Sequence, residues 1–200
     1  MTLEEKKQLF TEFFTLPLAL NINLEAFADN EAIPDDEAFL EEIPYPFKLA
    51  TQINSLDAMN IKQSHSYGNH TAELVDLLNI QAKKIDLIMS HLLLQEDHAE
   101  SRYKTQTFGA GGLTLINEKK WLLEQSFRLK IFMPEEASAV YCFAEIIDIQ
   151  QRENLYEYQF VYTQIRDEDR EILVRAALHQ QSKHLRQLAQ QRANSAKDNK

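Results

Sequence analysis

The chain has 200 residues, of which 44% are apolar and 26% are charged, and these proportions describe a globular protein with a buried core rather than a disordered one. Its single cysteine, Cys142, excludes an internal disulfide framework, and the lack of a signal-peptide pattern or of about 18 consecutive apolar residues predicts a cytoplasmic protein without membrane insertion. The net charge of −10 disfavours nucleic acid as a partner, because binding to the phosphate backbone needs clustered lysine and arginine.

The first 68 residues are predicted to be an acidic arm with short helices. Four of the five prolines lie within residues 17–46, and twelve acidic side chains against three lysines give residues 1–60 a charge of −9. Short helices are expected over residues 3–14 and 47–63. The arm carries too many apolar side chains for a free tail, so we expect it to pack on the domain or on a neighbouring subunit.

A long helix is predicted for residues 69–102, because no glycine or proline interrupts this range. Thr71 can cap its start, and Glu73 suits the positive end of the helix dipole. Spacing by four and three residues marks a heptad seam with two polar interruptions. The seam consists of Leu74, Leu78, Gln81, Ile85, Ile88, Leu92 and Gln95.

A second apolar stripe lies on another flank of the same helix. It runs through Leu77, Ile80, Lys84, Leu87, His91 and Leu94. A helix that is apolar on two flanks cannot bury both against one sheet, so one flank is expected to meet another helix. We therefore expect a homo-oligomer, with the tetramer as the favoured state. The alternative is a single wide stripe that packs against its own domain.

The C-terminal half is predicted to be a small antiparallel barrel followed by a helix. Three of the four glycines lie at Gly109, Gly111 and Gly112, and β-type patterns follow them. The expected strands are Leu113–Ile116, Phe127–Met133, Ala139–Gln150 and Tyr156–Thr163. A meander of this kind closes best as a barrel, which places the fold in the α+β class.

The last helix is expected to begin after Asp167 and to cover one opening of the barrel. Residues 103–190 would then form the barrel and its helix, and residues 191–200 a disordered basic tail. Most of the core is expected to come from the tyrosines together with Trp121, Phe127, Phe132 and Phe160.

The region from Thr107 to Arg186 resembles a PilZ domain, a small bacterial β-barrel best known as a receptor for cyclic di-GMP. Thr107–Leu113 lies where that family has its Asp/Asn-x-Ser-x-x-Gly motif before an aliphatic strand. The run Arg166–Leu173 looks like the entry of the family's last strand into its C-terminal helix. Gln180 and Gln181 occupy positions where these helices often carry glutamine. The preceding heptad helix is similar to that of an atypical, tetramer-forming branch in which an inserted helix assembles the subunits.

The resemblance implies a degenerate nucleotide site. Typical members clamp the phosphates with Arg-x-x-x-Arg, a use suited to the planar fork of the guanidinium. Here Arg102 stands at the first position and Gln106 at the second, with Lys104 between them. Thr107 and Gly109 replace the acidic residue and the serine of the second motif, and only Gly112 matches. These six residues are the candidate site, and cyclic di-GMP is not expected to bind tightly in the usual mode.

Other chemistry is not indicated by the sequence. Cys142 lies in an apolar strand without a neighbouring histidine, which favours a core residue over a nucleophile. His65 and His70 could bind a metal ion only with further ligands, so a polar turn is the preferred interpretation. Neither a metal site nor a cofactor is therefore expected, and the chain is predicted not to be an enzyme.

The sequence thus favours an oligomeric regulator that acts by contact with a signalling or pilus protein. The setting, which is cyclic di-GMP signalling with motility, pili or virulence, is implied by the resemblance alone. One alternative is a cyclic di-GMP receptor that binds through changed residues, with Arg102 and Lys104 as the phosphate candidates. Another is a coiled-coil structural adaptor without a nucleotide link.

Overall fold

The computed structural model describes residues 1–28, 31–64 and 72–198. Within these ranges the helices are α1 (Leu3–Glu12), α2 (Asp36–Glu42), α3 (Tyr45–Ser64), α4 (Ala72–Gln95) and α5 (Asp167–Asp198). The strands are β1 (Thr15–Pro17), β2 (Asn21–Ala26), β3 (Arg102–Gly109), β4 (Gly112–Asn117), β5 (Ser126–Met133), β6 (Ser138–Arg152) and β7 (Leu155–Gln164). In the part of the chain so described, no helix is long and apolar enough to cross a membrane.

Six of these strands close into an antiparallel barrel in the order β3-β2-β5-β6-β7-β4, and β4 pairs back onto β3. Strand β1 adds to β3 beside β2, with Thr15 opposite Gly109. The α+β class and the small antiparallel barrel predicted from the sequence are therefore confirmed. The four predicted strands correspond to β4–β7, with boundaries that differ by at most two residues.

Two barrel strands were not predicted, and one of them, β2, lies far outside residues 103–190. Strand β2 comes from the N-terminal arm, where its apolar side chains Ile22 and Leu24 alternate with polar ones and point into the core. Asparagine is a weak strand former, so Asn21 and Asn23 conceal the period-two pattern. Strand β3 lies, apart from Arg102, within the range predicted for the barrel, but it was not predicted as a strand.

The long helix α4 ends at Gln95, seven residues before the predicted end. Asn23 of β2 causes this early end, because its Oδ1 accepts a hydrogen bond from the amide of His98 at 2.8 Å and its Nδ2 donates to Asp97 at 2.9 Å. The chain then makes a 3-10 turn at Ala99–Ser101 and enters β3. The predicted cap Thr71 and the predicted boundary at residues 68 and 69 lie outside the described residues.

Helix α5 continues to Asp198, into the range 191–200 that the sequence analysis assigned to a disordered tail. The range 167–198 contains no glycine or proline and is rich in alanine, glutamine, lysine and arginine, which favour helix. The helix therefore has no local signal that would end it earlier.

The inner core fills the barrel and is closed at one end by α5. Trp121 lies at its centre, with ring centroids 5.1 Å from Phe127 and 4.9 Å from Tyr158. The tyrosine hydroxyl accepts a hydrogen bond from the Trp121 amide at 2.9 Å. From α5, Ile172 and Leu173 pack into the same cluster, together with two alanines one turn later. Of the core residues predicted from the sequence, Trp121, Phe127, Phe160, Tyr158 and Tyr162 are buried in this cluster, whereas Tyr103 and Tyr156 are only partly buried against it.

A second apolar cluster lies outside the barrel, on the outer face of β5 and β6. It contains Phe132, which was expected among the core residues and is buried on this outer side instead. Helices α2, α3 and α4 cover the face with Phe39, Phe47, Met89 and Leu93. The N-terminal arm and the long helix therefore form one helical layer on the barrel.

Two charged contacts tie this layer down. Arg128 of β5 donates two hydrogen bonds to Glu42 at the end of α2, at 2.9 and 3.0 Å, and this pairing holds the pKa of that carboxyl below its usual range. Asp169 of α5 is fully buried and accepts hydrogen bonds from Arg166 and from Thr51 of α3. Burial raises the pKa of Asp169, and these donors oppose that effect.

We expect Leu173→Ala to lower the free energy of unfolding by about 2–5 kcal/mol, because it leaves a cavity in the barrel core where Leu173 is fully buried. Leu178→Ala is the matched control on the same helix, since Leu178 is 48% exposed, and it should cost well under half as much. Urea unfolding followed by circular dichroism measures both values. Equal losses in the two variants would mean that α5 is not docked in the barrel.

Candidate functional site

The residues of the predicted nucleotide site begin on the outer face of β3. Arg102, Lys104 and Gln106 are exposed there, alternating with buried positions. Arg102 is not free, because its Nε donates to Oδ1 of Asp97 at 2.9 Å and a terminal nitrogen donates to the Asp97 carbonyl oxygen at 3.3 Å. The single arginine of the clamp is therefore already paired with a carboxylate.

The burial of Asp97 strengthens its electrostatic attraction to Arg102. Its side chain is only 4% exposed, and the same oxygen accepts a hydrogen bond from Asn23. A phosphate placed on Arg102 would face this carboxylate, and like charges in a partly buried site repel strongly. Neither Asp97 nor Asn23 was singled out in the sequence, because their contact joins residues 74 positions apart.

The next two site residues take part in closing the barrel. The ladder between β3 and β4 is irregular between Thr105 and Thr107, and Gln106 is the extra residue. Its carbonyl oxygen accepts a hydrogen bond from the amide of Leu18 at 3.2 Å. The Thr107 hydroxyl lies 2.9 Å from the hydroxyl of Thr114 on β4. The polar groups at these positions thus bind the protein's own chain.

The two glycines of the site are covered by the N-terminal segment. A Cβ at Gly109 would lie 2.6 Å from the backbone oxygen of Phe14, and one at Gly112 would collide with the Phe160 oxygen and the Phe10 ring. Neither glycine has a left-handed backbone, so close packing explains them and a special turn conformation does not. The structure brings the six candidate residues onto one strand region, with three exposed and the glycines under α1 and β1.

The heptad seam of α4 is a second candidate site, for assembly. Four of its apolar residues, Leu74, Leu78, Ile85 and Ile88, are between 46% and 61% exposed, and Gln81 and Gln95 are exposed too. Leu92 is partly buried beside the outer cluster. The second stripe is equally open, with its leucines and isoleucine between 51% and 72% exposed.

A third face of α4, which the sequence analysis overlooked, attaches the helix to the barrel. Met89 and Leu93 are buried in the outer cluster, and their spacing of four was the available signal. Both lie in the last two turns of a helix of 24 residues, about 36 Å long. Of the apolar seam residues, Leu92 packs on the chain's own outer cluster, whereas Leu74, Leu78, Ile85 and Ile88 remain exposed.

Other reactive groups give no indication of catalysis. Cys142 is fully buried in the barrel, and burial raises the pKa of its thiol, which disfavours the reactive thiolate. Among the described residues no cluster of His, Cys, Asp and Glu could hold a metal ion. His65 and His70 lie outside the described residues.

No family model matches this sequence, and no curated protein matches it significantly. Solved structures do resemble it. One is a pathogenic protein from Xanthomonas campestris, described as a tetrameric PilZ domain self-assembled via an unusual helical bundle. Its TM-score is 0.53 and its sequence identity 14%, and the match covers 92% of this chain and 97% of that one. The motility inhibitor MotI/DgrA of Bacillus subtilis has a TM-score of 0.46 and 11% sequence identity, and the match covers 86% of this chain and 51% of that one. This chain therefore spans about half the length of MotI/DgrA. The PilZ domain of Escherichia coli YcgR with c-di-GMP has a TM-score of 0.37 and 14% identity, with 46% of this chain and 82% of that one covered.

The closed barrel, the helix that fills one end and the helical layer on the outer face define a small α+β barrel domain. Its fold is that of an atypical PilZ domain, as the sequence resemblance predicted.

We expect Gly109→Ser to destabilise the protein by about 1–3 kcal/mol, because its Cβ would press on the backbone of Phe14. This is the substitution that would restore the serine of the family's motif. Gln106→Arg, which restores the second arginine on an exposed side chain, should change the free energy of unfolding by less than about 0.5 kcal/mol. Thermal unfolding compares the two, and an undisturbed Gly109→Ser variant would show that β1 is not packed on this surface.

Proposed function

We propose that this chain is a non-enzymatic, cytoplasmic PilZ-type regulator that assembles through α4 and acts by contact with another protein. The proposed setting is bacterial cyclic di-GMP signalling, in motility, pili or virulence. The observation that carries the proposal is the apolar arc on α4, which is turned away from the barrel. It comprises Leu74, Leu77, Leu78, Ile80, Ile85, Leu87, Ile88 and Leu94, all at least 46% exposed.

The free energy gained by burying this apolar arc indicates whether it is an ordinary exposed surface or a protein–protein interface. Single molecules rarely expose a contiguous apolar patch larger than a few hundred Å². Because these side chains are about half exposed, burying each one would contribute roughly 1 kcal/mol. Two helices that bury the four exposed apolar residues of their seams together would then gain about 8 kcal/mol, which is comparable with the roughly 4–15 kcal/mol lost on association.

A second copy of the chain is the occupant that fits this surface best. The seam repeats every seven residues, which is the pattern that lets identical helices pack side by side. Gln81 and Gln95 lie within the seam, where polar residues limit the register of such a bundle. The helical bundle described for the tetrameric Xanthomonas protein supports the same kind of assembly here.

The geometry around Arg102 favours a role without tight nucleotide binding. The pairing of Arg102 with Asp97 and the cover over Gly109 and Gly112 leave Lys104 as the site's other cation on β3. A receptor that uses changed residues is the alternative, and it would have to displace Asp97 from Arg102. The structural adaptor without a nucleotide link is distinguished by its partner, which a pull-down from the native host would identify.

The assembly is tested by placing charge on the seam. Ile85→Asp with Ile88→Asp should convert the oligomer, expected to be a tetramer, into monomers at micromolar concentration, because two carboxylates cannot be buried unpaired between helices. Light scattering coupled to size exclusion measures the mass. A wild-type protein that is monomeric under these conditions contradicts the proposal.

A control variant makes the same change in net charge on the opposite, polar face of α4. Asn79→Asp with Lys83→Gln also makes the net charge more negative by two units, and both side chains are exposed on the polar face of α4. This variant should remain assembled. If it also dissociates, net charge rather than seam packing governs the assembly.

We expect cyclic di-GMP to bind only weakly, with a dissociation constant above the micromolar range. A hydrogen bond to a charged group contributes about 1.5–3 kcal/mol, so loss of a bidentate arginine and two polar partners removes several powers of ten in affinity. Isothermal titration calorimetry decides the matter. A low-micromolar constant that Arg102→Ala abolishes would favour the receptor alternative, and Glu118→Ala, which lies on another loop, serves as the control.

A further inference from the structure

The two glutamines in the seam of α4 occupy the same heptad position. Steps of four and three residues divide the seam into two sets, which heptad notation calls a and d. The d set is Leu74, Gln81, Ile88 and Gln95, and the a set is Leu78, Ile85 and Leu92. Both glutamines are therefore d residues, and both are exposed in the single chain. The a residues that lie within Ala72–Gln95 are all apolar.

The direction of a neighbouring helix decides which residues these glutamines meet. In a parallel bundle with the helices in register, d residues meet d residues, so each glutamine meets the same glutamine of a second copy. In an antiparallel bundle, d residues meet a residues. Gln81 would then face Leu78, Ile85 or Leu92, whichever register the two helices adopt within the described part of α4. The parallel bundle therefore gives the amide of Gln81 a polar neighbour, and the antiparallel bundle gives it an apolar one.

The hydrogen bonds of the amide groups separate these two arrangements in free energy. A glutamine side chain carries two N–H donors and a carbonyl acceptor, so glutamines that meet in one layer can donate to each other. A buried amide that meets leucine or isoleucine stays unpaired, which lowers the equilibrium constant of association by about tenfold or more. Each helix of an antiparallel bundle would bear this loss at Gln81.

The barrel is attached to a side of α4 that leaves the bundle open to parallel helices. Met89 and Leu93 hold α4 on the barrel, and in the same notation they are e and b residues. On a helical wheel, e and b lie opposite the centre of the exposed arc, which consists of a, c, d and g residues. A bundle formed by the arc therefore has the barrels on its outside. Parallel helices place all the barrels at one end without bringing a barrel between two helices.

We propose, on the basis of the assembly through α4 proposed above, that Gln81 and Gln95 fix the direction of the helices. Their amides form hydrogen-bonded layers between copies of α4 that run parallel and in register. All the barrels then lie at one end of the bundle, where they present the same surfaces side by side. A partner protein with several binding sites would gain avidity from this arrangement.

Cross-linking of single introduced cysteines in the full-length protein measures the direction of the helices. Leu74→Cys places a thiol in the first turn of α4, and in an antiparallel bundle with full overlap two such thiols lie about 27 Å apart. A bis-maleimide linker much shorter than this distance should join them, because in the parallel bundle they are neighbours. Ile85→Cys is the matched control near the middle of the helix, and it should cross-link in either direction. The native Cys142 is fully buried and does not compete for the linker.

Replacement of the two glutamines tests whether they set the direction. Gln81→Leu with Gln95→Leu removes the buried amides, so the protein should remain assembled while both directions become possible. Cross-linking through Leu74→Cys should fall by about twofold or more, and cross-linking through Ile85→Cys should stay unchanged. Gln187→Leu with Gln190→Leu makes the same chemical change at exposed positions of α5 and should leave both yields as they are.

Light scattering of every variant separates the direction of the helices from the assembly itself. An assembled protein that cross-links through Ile85→Cys but not through Leu74→Cys has antiparallel helices, which overturns this proposal and leaves the assembly in place. Undiminished cross-linking through Leu74→Cys in the Gln81→Leu, Gln95→Leu variant would mean that other residues set the direction, and this also overturns it. A monomeric wild-type protein overturns the assembly and its direction together.

Discussion

The insertion of β2 between β3 and β5 is the constraint on which the rest of the structure depends. Ile22 and Leu24 of this strand enter the core, while its backbone pairs with both neighbours and leaves the barrel without an open edge. Strand β2 lies at the start of the chain and β3 begins at Arg102. The whole segment between them must therefore leave the barrel and return to the same place, because Asn23 and Arg102 are opposite each other in the ladder.

This return path explains why α2, α3 and the end of α4 cover the outer face of β5 and β6, and why the rest of α4 exposes apolar side chains. The chain covers the outer face of β5 and β6 on its way out, through α2 and α3, and comes back along α4. Met89, Leu93 and the partly buried Leu92, all near the end of α4, are the residues of this helix that reach the outer cluster, because the helix must turn into β3 within a few residues. The earlier turns have no part of the barrel to contact, and their apolar side chains remain exposed.

The sequence predicted those parts of the fold whose signal is local. Strands β4–β7, the long helix and the burial of Trp121 follow from periodicity and composition, which act over a few residues. Strand β2 was missed because Asn23 is a poor strand former that is justified only by its distant contact with Asp97 and His98. The cover over Gly109 could not be predicted either, since it depends on how α1 and β1 pack on a strand almost 100 residues later.

The exposed apolar helix α4 and the candidate nucleotide site adjoin each other at the C-terminal end of α4. There Asn23, Asp97 and Arg102 are hydrogen-bonded together. A nucleotide that took Arg102 in the family's usual way would deprive the carboxylate of Asp97 of its cation and leave it the hydrogen bond from Asn23, while only 4% of that side chain is exposed. Loss of this pair would oppose the binding, but by less than the roughly 3–5 kcal/mol of a fully buried pair, because Arg102 is 40% exposed and solvent screens it. The same pairing stabilises the turn by which α4 enters β3. The geometry therefore shows an arginine that is paired at the junction of α4 and β3 and is not presented to a ligand.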